Sequence, residues 1–255
     1  MEALLELRGL KIESISNSKP ILDNFSWRIQ QGKVYALIGE SGSGKTTFAF
    51  SLFGMLPKNT KIAFEQFNLF GKTYDHWKKE RWKSIRGKKI NMIPQNPHLA
   101  FHPYRKIGKQ VQEYYSLVLD KNLSEQECCK HWAKFGIRDP ERSFQSLPSQ
   151  VSGGEKQRIT IAMAQFSESE IIVADEPTTA LDPIQEKNMI ELLMNSLKTK
   201  NSSIVLITHN LKLMERIADE VMVIKSGKIV EVNSRINGNF PSWESEYAKQ
   251  LLGQL

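Results

Sequence analysis

Cysteine is nearly missing from this sequence. Only Cys128 and Cys129 occur in 255 residues, and being adjacent they cannot staple distant parts of the chain together. That excludes a disulfide-built fold, and with no second Cys/His cluster at ligand spacing it also excludes a zinc module. The pair is expected as buried thiols on a helix. No apolar run approaches the roughly 20 residues needed to cross a bilayer. Met1–Leu10 carries Glu2, Glu6 and Arg8 where a signal peptide needs an unbroken apolar stretch, so a cytoplasmic chain is expected. Repeats and low-complexity tracts are absent too, which leaves a folded domain rather than a solenoid or a disordered tail. What is present is 40% hydrophobic residues, enough for one large domain or two small ones, and a net charge of +7. That charge suits nucleotides, nucleic acid or a lipid surface without choosing among them. Lys78–Lys89 concentrates seven basic residues against one acid, read first as a solvated face and second as a contact for lipid headgroups or an acidic partner.

Hydrophobic periodicity divides the chain. Leu5, Leu7, Leu10 and Ile12, then Phe25, Trp27 and Ile29, alternate with polar neighbours and predict an antiparallel sheet over the first thirty residues. From Val34 onward the apolar runs become short and unbroken, at Val34–Ile38, Ile171–Ala174, Ile204–Ile207 and Val221–Ile224, as in buried parallel strands. Helix-length segments separate them; in one, Pro183 takes the first helical position and Ile184, Met189, Ile190, Leu193 and Leu197 form an apolar stripe. The alternation predicts an α/β core. Between about Gln95 and Phe166 the strand signals vanish, and Ile107–Phe135 carries a helical pattern ending at Gly136 and Asp139-Pro140, which predicts a helical insert.

Two motifs carry chemistry. Gly39-Glu40-Ser41-Gly42-Ser43-Gly44-Lys45-Thr46 fits the G-x-x-x-x-G-K-[ST] pattern, with a buried strand before it and helical Thr47–Leu52 after it. Its glycines let backbone N–H groups wrap a polyphosphate, the helix adds the positive end of its dipole, and Lys45 supplies charge to the β and γ phosphates. Thr46 can place its hydroxyl on Mg²⁺. At the end of the run Ile171–Ala174, Asp175 and Glu176 emerge together from the C-terminal edge of a strand. Asp175 is the candidate magnesium ligand, direct or through water, and Glu176 the candidate base that polarises a water aligned with the γ-phosphate.

Val151-Ser152-Gly153-Gly154-Glu155-Lys156-Gln157-Arg158 then resembles the signature of ATP-binding cassette (ABC) ATPases. The resemblance covers nearly the whole chain in order: phosphate loop, the Q-loop glutamine Gln95, signature, Asp175-Glu176, the Ala180-Leu181-Asp182 D-loop, and His209 after Ile204–Ile207. It implies a single nucleotide-binding domain over 1–255 with a P-loop NTPase, RecA-like, mostly parallel core. That core and an antiparallel β subdomain would occupy 1–94 and 167–255, and a helical signature subdomain about 95–166. The resemblance also implies ATP and Mg²⁺ as cofactors, with nucleotide sandwiched between two cassettes and the phosphate loop of one, Gly39 to Thr47, facing Ser152, Gly153, Gly154 and Glu155 of the other. His209 would contact the γ-phosphate, Gln95 would join Thr46 and Asp175 around the metal, and Asp182 would belong to the nucleotide site. From the residues themselves, Ser152 can cap a helix running toward Gln165 whose first N–H groups form a second anion-binding end.

Some positions depart from the family pattern. The aromatic that many cassettes stack on adenine falls near Ser14, so no adenine platform is assigned; Glu155 stands where Gln is commonest, and Pro94 where an aromatic is frequent. Gln95-Asn96-Pro97 through His102-Pro103 and Arg86-Gly87-Lys88-Lys89-Ile90 resemble the peptide, nickel and opine importer branch. A chain stopping at Leu255 without a cysteine-bearing extension leans toward its nickel or metallophore members. The implied function is an ATP-hydrolysing importer subunit at the cytoplasmic face of the membrane. Its implied partners are a second cassette, a permease and, indirectly, an external solute-binding protein, with no nucleic acid. The competing class is a soluble ABC ATPase acting on nucleic acid or ribosomes, against which the 130 positions between Lys45 and Asp175 leave no room for a long coiled coil.

Overall fold

Alternating and continuous apolar runs both become strands in the computed structural model, which describes every residue except 1, 2, 17, 18, 75–78, 168, 179–182, 254 and 255. In chain order the strands are β1 (Ala3–Ser14), β2 (Pro20–Gln30), β3 (Val34–Ile38), β4 (Thr60–Ala63), β5 (Gln66–Leu69), β6 (Lys72–Thr73), β7 (Ile90–Ile93), β8 (Ile171–Asp175), β9 (Ser203–Ile207), β10 (Glu220–Lys225) and β11 (Lys228–Ser234). The helices are α1 (Lys45–Leu52), α2 (Lys79–Lys83), α3 (Ile107–Leu119), α4 (Glu125–Ala133), α5 (Pro140–Gln145), α6 (Gly153–Phe166), α7 (Pro183–Lys200), α8 (Leu211–Ile217) and α9 (Glu246–Leu251). Short 3-10 turns lie at Pro97–Ala100 and Pro148–Gln150. The chain divides into two units, Met1–Trp82 with Ser202–Leu255, and Lys83–Asn201.

In the first unit β1 pairs antiparallel with β2, β4 and β5, and β6 adds to β5. The alternating residues Leu5, Leu7, Leu10, Ile12, Phe25, Trp27 and Ile29 all turn inward and are buried. The unbroken runs form a second sheet in which β10, β3 and β9 are parallel and β11 closes the outer edge antiparallel to β10. Every residue of β3 and β9 is buried, as continuous apolar composition requires of strands covered on both faces. Phe48 of α1 stacks 4.7 Å from Phe25 and 5.2 Å from Trp27, fixing α1 against β2 directly behind the phosphate loop. A second cluster joins Ala36 and Ile38 of β3, Met214 of α8 and Val221 and Val223 of β10 to Trp243, Tyr247 and Ala248, which holds α9 against the sheet.

In the second unit β7 and β8 run parallel, and helices α3 to α6 bury the rings of Tyr115, Trp132 and Phe144, with the half-buried Phe166 packed 4.6 Å from Tyr115. The helical pattern over Ile107–Phe135 is not one helix. Asp120 ends α3 in the left-handed conformation at φ 54°, and Ser124 opens α4 with a capping box to Glu127. Asp139-Pro140 likewise starts α5 as well as ending what precedes it: the Asp139 carboxylate accepts from the Arg142 amide. Gly108 permits a close approach, since a Cβ there would sit 2.2 Å from the Phe144 ring. Cys128 and Cys129 lie buried on α4, and burial pushes both thiols up to about 11, so they remain protonated packing groups. In the basic run, Lys78 lies outside the described residues. Lys88 and Lys89 pair with Asp120 and Glu170 at 2.9 and 2.7 Å, and Trp82 and Ile85 are buried, so the stretch is partly structural.

Candidate functional site

The phosphate loop leaves β3 at Ile38 and enters α1 at Lys45, at the C-terminal edge of the parallel strands. Its glycines answer to neighbours. A Cβ on Gly39 would lie 2.1 Å from the Ile224 carbonyl oxygen of β10, and one on Gly44, at φ +107°, would lie 2.7 Å from Leu22 of β2. Gly42, at φ +78°, has nothing within 4 Å. Gly39→Ala is therefore expected to lose the folded loop and its nucleotide binding. Gly42→Ala, facing only the left-handed backbone cost of about 1–2 kcal/mol, should fold with a melting midpoint lower by only a few degrees. Thermal denaturation of the two variants checks this, and equal midpoints would contradict it.

Lys45 is buried, and its ammonium donates to the carbonyls of Gly39 and Glu40, each at 2.8 Å, and to Ser43 Oγ at 3.4 Å. The turn between β10 and β11 supports the loop from outside, the Gly227 amide donating to the Ser43 carbonyl at 3.0 Å. Glu40, Ser41 and Thr46 are exposed and Thr47 is half-buried in the first turn of α1. Because Leu37 of β3 pairs with Ile207 of β9, Gly39 and His209 each stand two residues past matched positions, and the exposed His209 leaves the sheet at the same edge as the loop.

The second unit repeats this geometry. Ile93 of β7 pairs with Ala174 of β8, so Gln95 and Glu176 stand two residues past a matched pair, and the Gln95 amide donates to the Glu176 carboxylate at 3.0 Å. Asp175 is buried at the end of β8. Glu176 has φ 45°, a left-handed conformation uncommon for a residue with a long side chain. Strain of this kind gathers at functional positions. Ser152 caps α6 by accepting from the Glu155 amide at 3.2 Å, and the Glu155 carboxylate accepts from Ser143 Oγ at 2.5 Å, so Gly153 and Gly154 sit in a fixed first turn. A polar hollow of about 350 Å³ lined by Gly136, Arg138, Ser152, Gly154, Glu155 and Arg158 opens beside that turn. Asp182 and the rest of the D-loop, Ala180 and Leu181, lie outside the described residues.

Two residues of the signature stretch, Gln157 and Lys156, have no individual role assigned from the sequence. Gln157, buried, donates through its amide to the Pro177 carbonyl and so ties α6 to the residue following Glu176. Lys156, also buried, donates to the Pro148 carbonyl at 2.8 Å and meets His98 Nδ1 at 2.9 Å, linking the signature helix to the turn after Gln95; burial holds its ammonium below the ordinary lysine value. The available signal was position: both occupy inward faces of a helix that begins at a fixed cap.

Comparison with known proteins bears on the family and the fold. The profile of the ABC transporter family matches residues 22–179. The oligopeptide transport ATP-binding protein OppD of Lactococcus lactis subsp. lactis (strain IL1403) is 37% identical over 231 residues, 88% of this chain and 67% of that protein. The dipeptide transport ATP-binding protein DppD of Bacillus subtilis (strain 168) is 32% identical over 262 residues, covering 100% of this chain and 77% of that one. Among solved structures, a dimeric post-hydrolysis state of the ATP-binding cassette MJ0796, bound to ADP and Pi, superposes with a TM-score of 0.77 at 22% identity, over 90% of this chain and 98% of that one, a likeness of fold. With the ordered motifs, the strand-edge geometry and these relatives in agreement, the chain belongs to the ABC transporter family.

Proposed function

We propose that this protein is the ATP-binding and ATP-hydrolysing subunit of an ABC importer that takes up peptides. The observation that carries the reading is Glu176, held at a left-handed φ of 45° just past a buried strand and hydrogen-bonded to Gln95, in a chain whose phosphate-loop lysine rests on loop carbonyls. Relatives 32–37% identical are named for oligopeptide and dipeptide transport, which favours peptides over nickel or metallophores. They also disfavour a soluble ATPase acting on nucleic acid. In this reading residues 1–255 act as one nucleotide-binding cassette, with the core and antiparallel β subdomain in 1–94 and 167–255 and the signature-bearing helical part in about 95–166.

The chemistry follows from the residues. Gly39 to Thr47 wrap the β and γ phosphates with backbone N–H groups, and Lys45 transfers its ammonium from the Gly39 and Glu40 carbonyls to phosphate oxygens. Glu176, released from Gln95, accepts the proton of the attacking water, and His209 contacts the γ-phosphate. Thr46, Gln95 and Asp175, all hard oxygen donors, would hold Mg²⁺, which would supply positive charge to the phosphates. Ser152, Gly153, Gly154 and Glu155 offer the amides of the first turn of α6 to the nucleotide held by a second cassette, and Asp182 completes that nucleotide site. Among the described residues no helix is long and apolar enough to cross a membrane. In this reading the cassette sits at the cytoplasmic face, attached through a permease.

The test is purification of the tagged protein from membranes of its source cells. A multi-span permease should co-purify, and ATP-dependent uptake of labelled short peptide into vesicles should require this subunit. Recovery with nucleic acid or ribosomes and no permease would overturn the reading.

A further inference from the structure

We infer that Tyr247, carried on α9, is a positioning residue of the phosphate loop, because its hydroxyl and the Lys45 ammonium grip opposite ends of one peptide group. The Glu40 amide donates to the Tyr247 hydroxyl at 3.3 Å, and the carbonyl of the same peptide, that of Gly39, accepts from Lys45 Nζ at 2.8 Å. A trans peptide points its N–H and C=O in opposite directions, so fixing one end fixes the other. At this point the chain needs fixing: Gly39 has no Cβ to limit rotation, and a turned peptide would take the carbonyl away from Lys45 and aim the amide elsewhere.

Tyr247 is itself firmly placed. Its ring is buried in the cluster that includes Ala36, Ile38 and Val223, and the Lys225 ammonium lies 4.3 Å from the ring centroid. The start of α9 is pinned as well. Glu231 of β11 accepts from the Glu244 amide at 2.8 Å, the Ser245 amide at 2.9 Å and Ser245 Oγ at 2.7 Å, and Ser245 in turn caps α9 by accepting from the Ala248 amide at 3.1 Å. Burial pushes the Tyr247 phenol above its ordinary value, so at neutral pH the group is an uncharged hydroxyl. An edge strand, a capped helix and one phenol thus form a brace ending on the nucleotide loop, more than 200 positions away along the chain.

The inference rests on the ATP-binding reading above, and two measurements separate the fates of the two. Tyr247→Phe keeps the ring and removes only the oxygen. In nucleotide-free protein, hydrogen exchange of the Glu40 amide should accelerate at least about tenfold in this variant. In steady-state assays KM for MgATP should rise about 3- to 10-fold with kcat within about twofold. Restoring tyrosine should restore both, and the melting midpoint of the nucleotide-free variant should stay within a few degrees of the parent. Unchanged exchange and unchanged KM in Tyr247→Phe, with destabilisation appearing only in Tyr247→Ala, would reduce Tyr247 to a packing residue and overturn the inference. Accelerated exchange in a protein whose parent form binds no MgATP would uphold the brace and defeat the ATP-binding reading instead.

Discussion

Glu176→Gln should lower steady-state phosphate release by about 10²- to 10⁴-fold, the range general-base catalysis contributes, while MgATP binding stays within about twofold of the parent. The substitution isolates one property. Glutamine matches glutamate in size, and its carbonyl oxygen can still accept the 3.0 Å hydrogen bond from the Gln95 amide. The positive φ at this position weighs about equally on both residues, and Gln157 still holds the next carbonyl through its amide. What disappears is the capacity to take a proton from water. Phosphate release and equilibrium binding on the same preparation separate the two effects. Unchanged turnover would remove Glu176 from the reaction and move the search for a base to His209.

Lys45→Ala should act at the other step, weakening MgATP binding roughly 10- to 100-fold. That corresponds to the 1.5–3 kcal/mol typical of hydrogen bonds to charged groups. Lys45 is buried, and without nucleotide its ammonium is already dehydrated and held by two carbonyls and a hydroxyl. Moving from neutral carbonyl oxygens to charged phosphate oxygens is favourable, and it requires little of the reorganisation that a solvated lysine would need. Titration with fluorescent ATP reads the loss directly, and melting without nucleotide shows whether the fold persists. Tight binding by the variant would mean that backbone amides alone hold the phosphates.

Much of this was legible in the sequence because period and composition reported burial directly. Continuous runs such as Val34–Ile38 and Ile204–Ile207 became fully buried parallel strands, and Ser152 became the cap of α6 at the residue expected. Strand β7 escaped for a physical reason. Asn91 interrupts its apolar run, yet it is buried because its amide donates to the Gly87 carbonyl, Ser167 Oγ and Ser169 Oγ while its oxygen accepts from the Tyr114 hydroxyl. A polar residue with every partner supplied looks like a loop in sequence and like core in the structure. The division of Ile107–Phe135 turned on Asp120 adopting a left-handed conformation, which composition permits and does not demand. The partnership of Tyr247 with Glu40 joins residues remote in sequence, and no local pattern encodes it.

The matched register of the strand pairs has a bearing on how such a protein can change over time. Gly39 and His209 leave one pair at the same level, and Gln95 and Glu176 leave the other. Since side chains along a strand alternate sides, gaining or dropping one residue between Ile90 and Gln95, or between Ile171 and Glu176, would turn a working group to the opposite face. Spelling within these short stretches can drift among apolar letters while their length stays frozen. The loops between helices in the second unit carry no such ruler, and that is where a lineage has room to grow or trim.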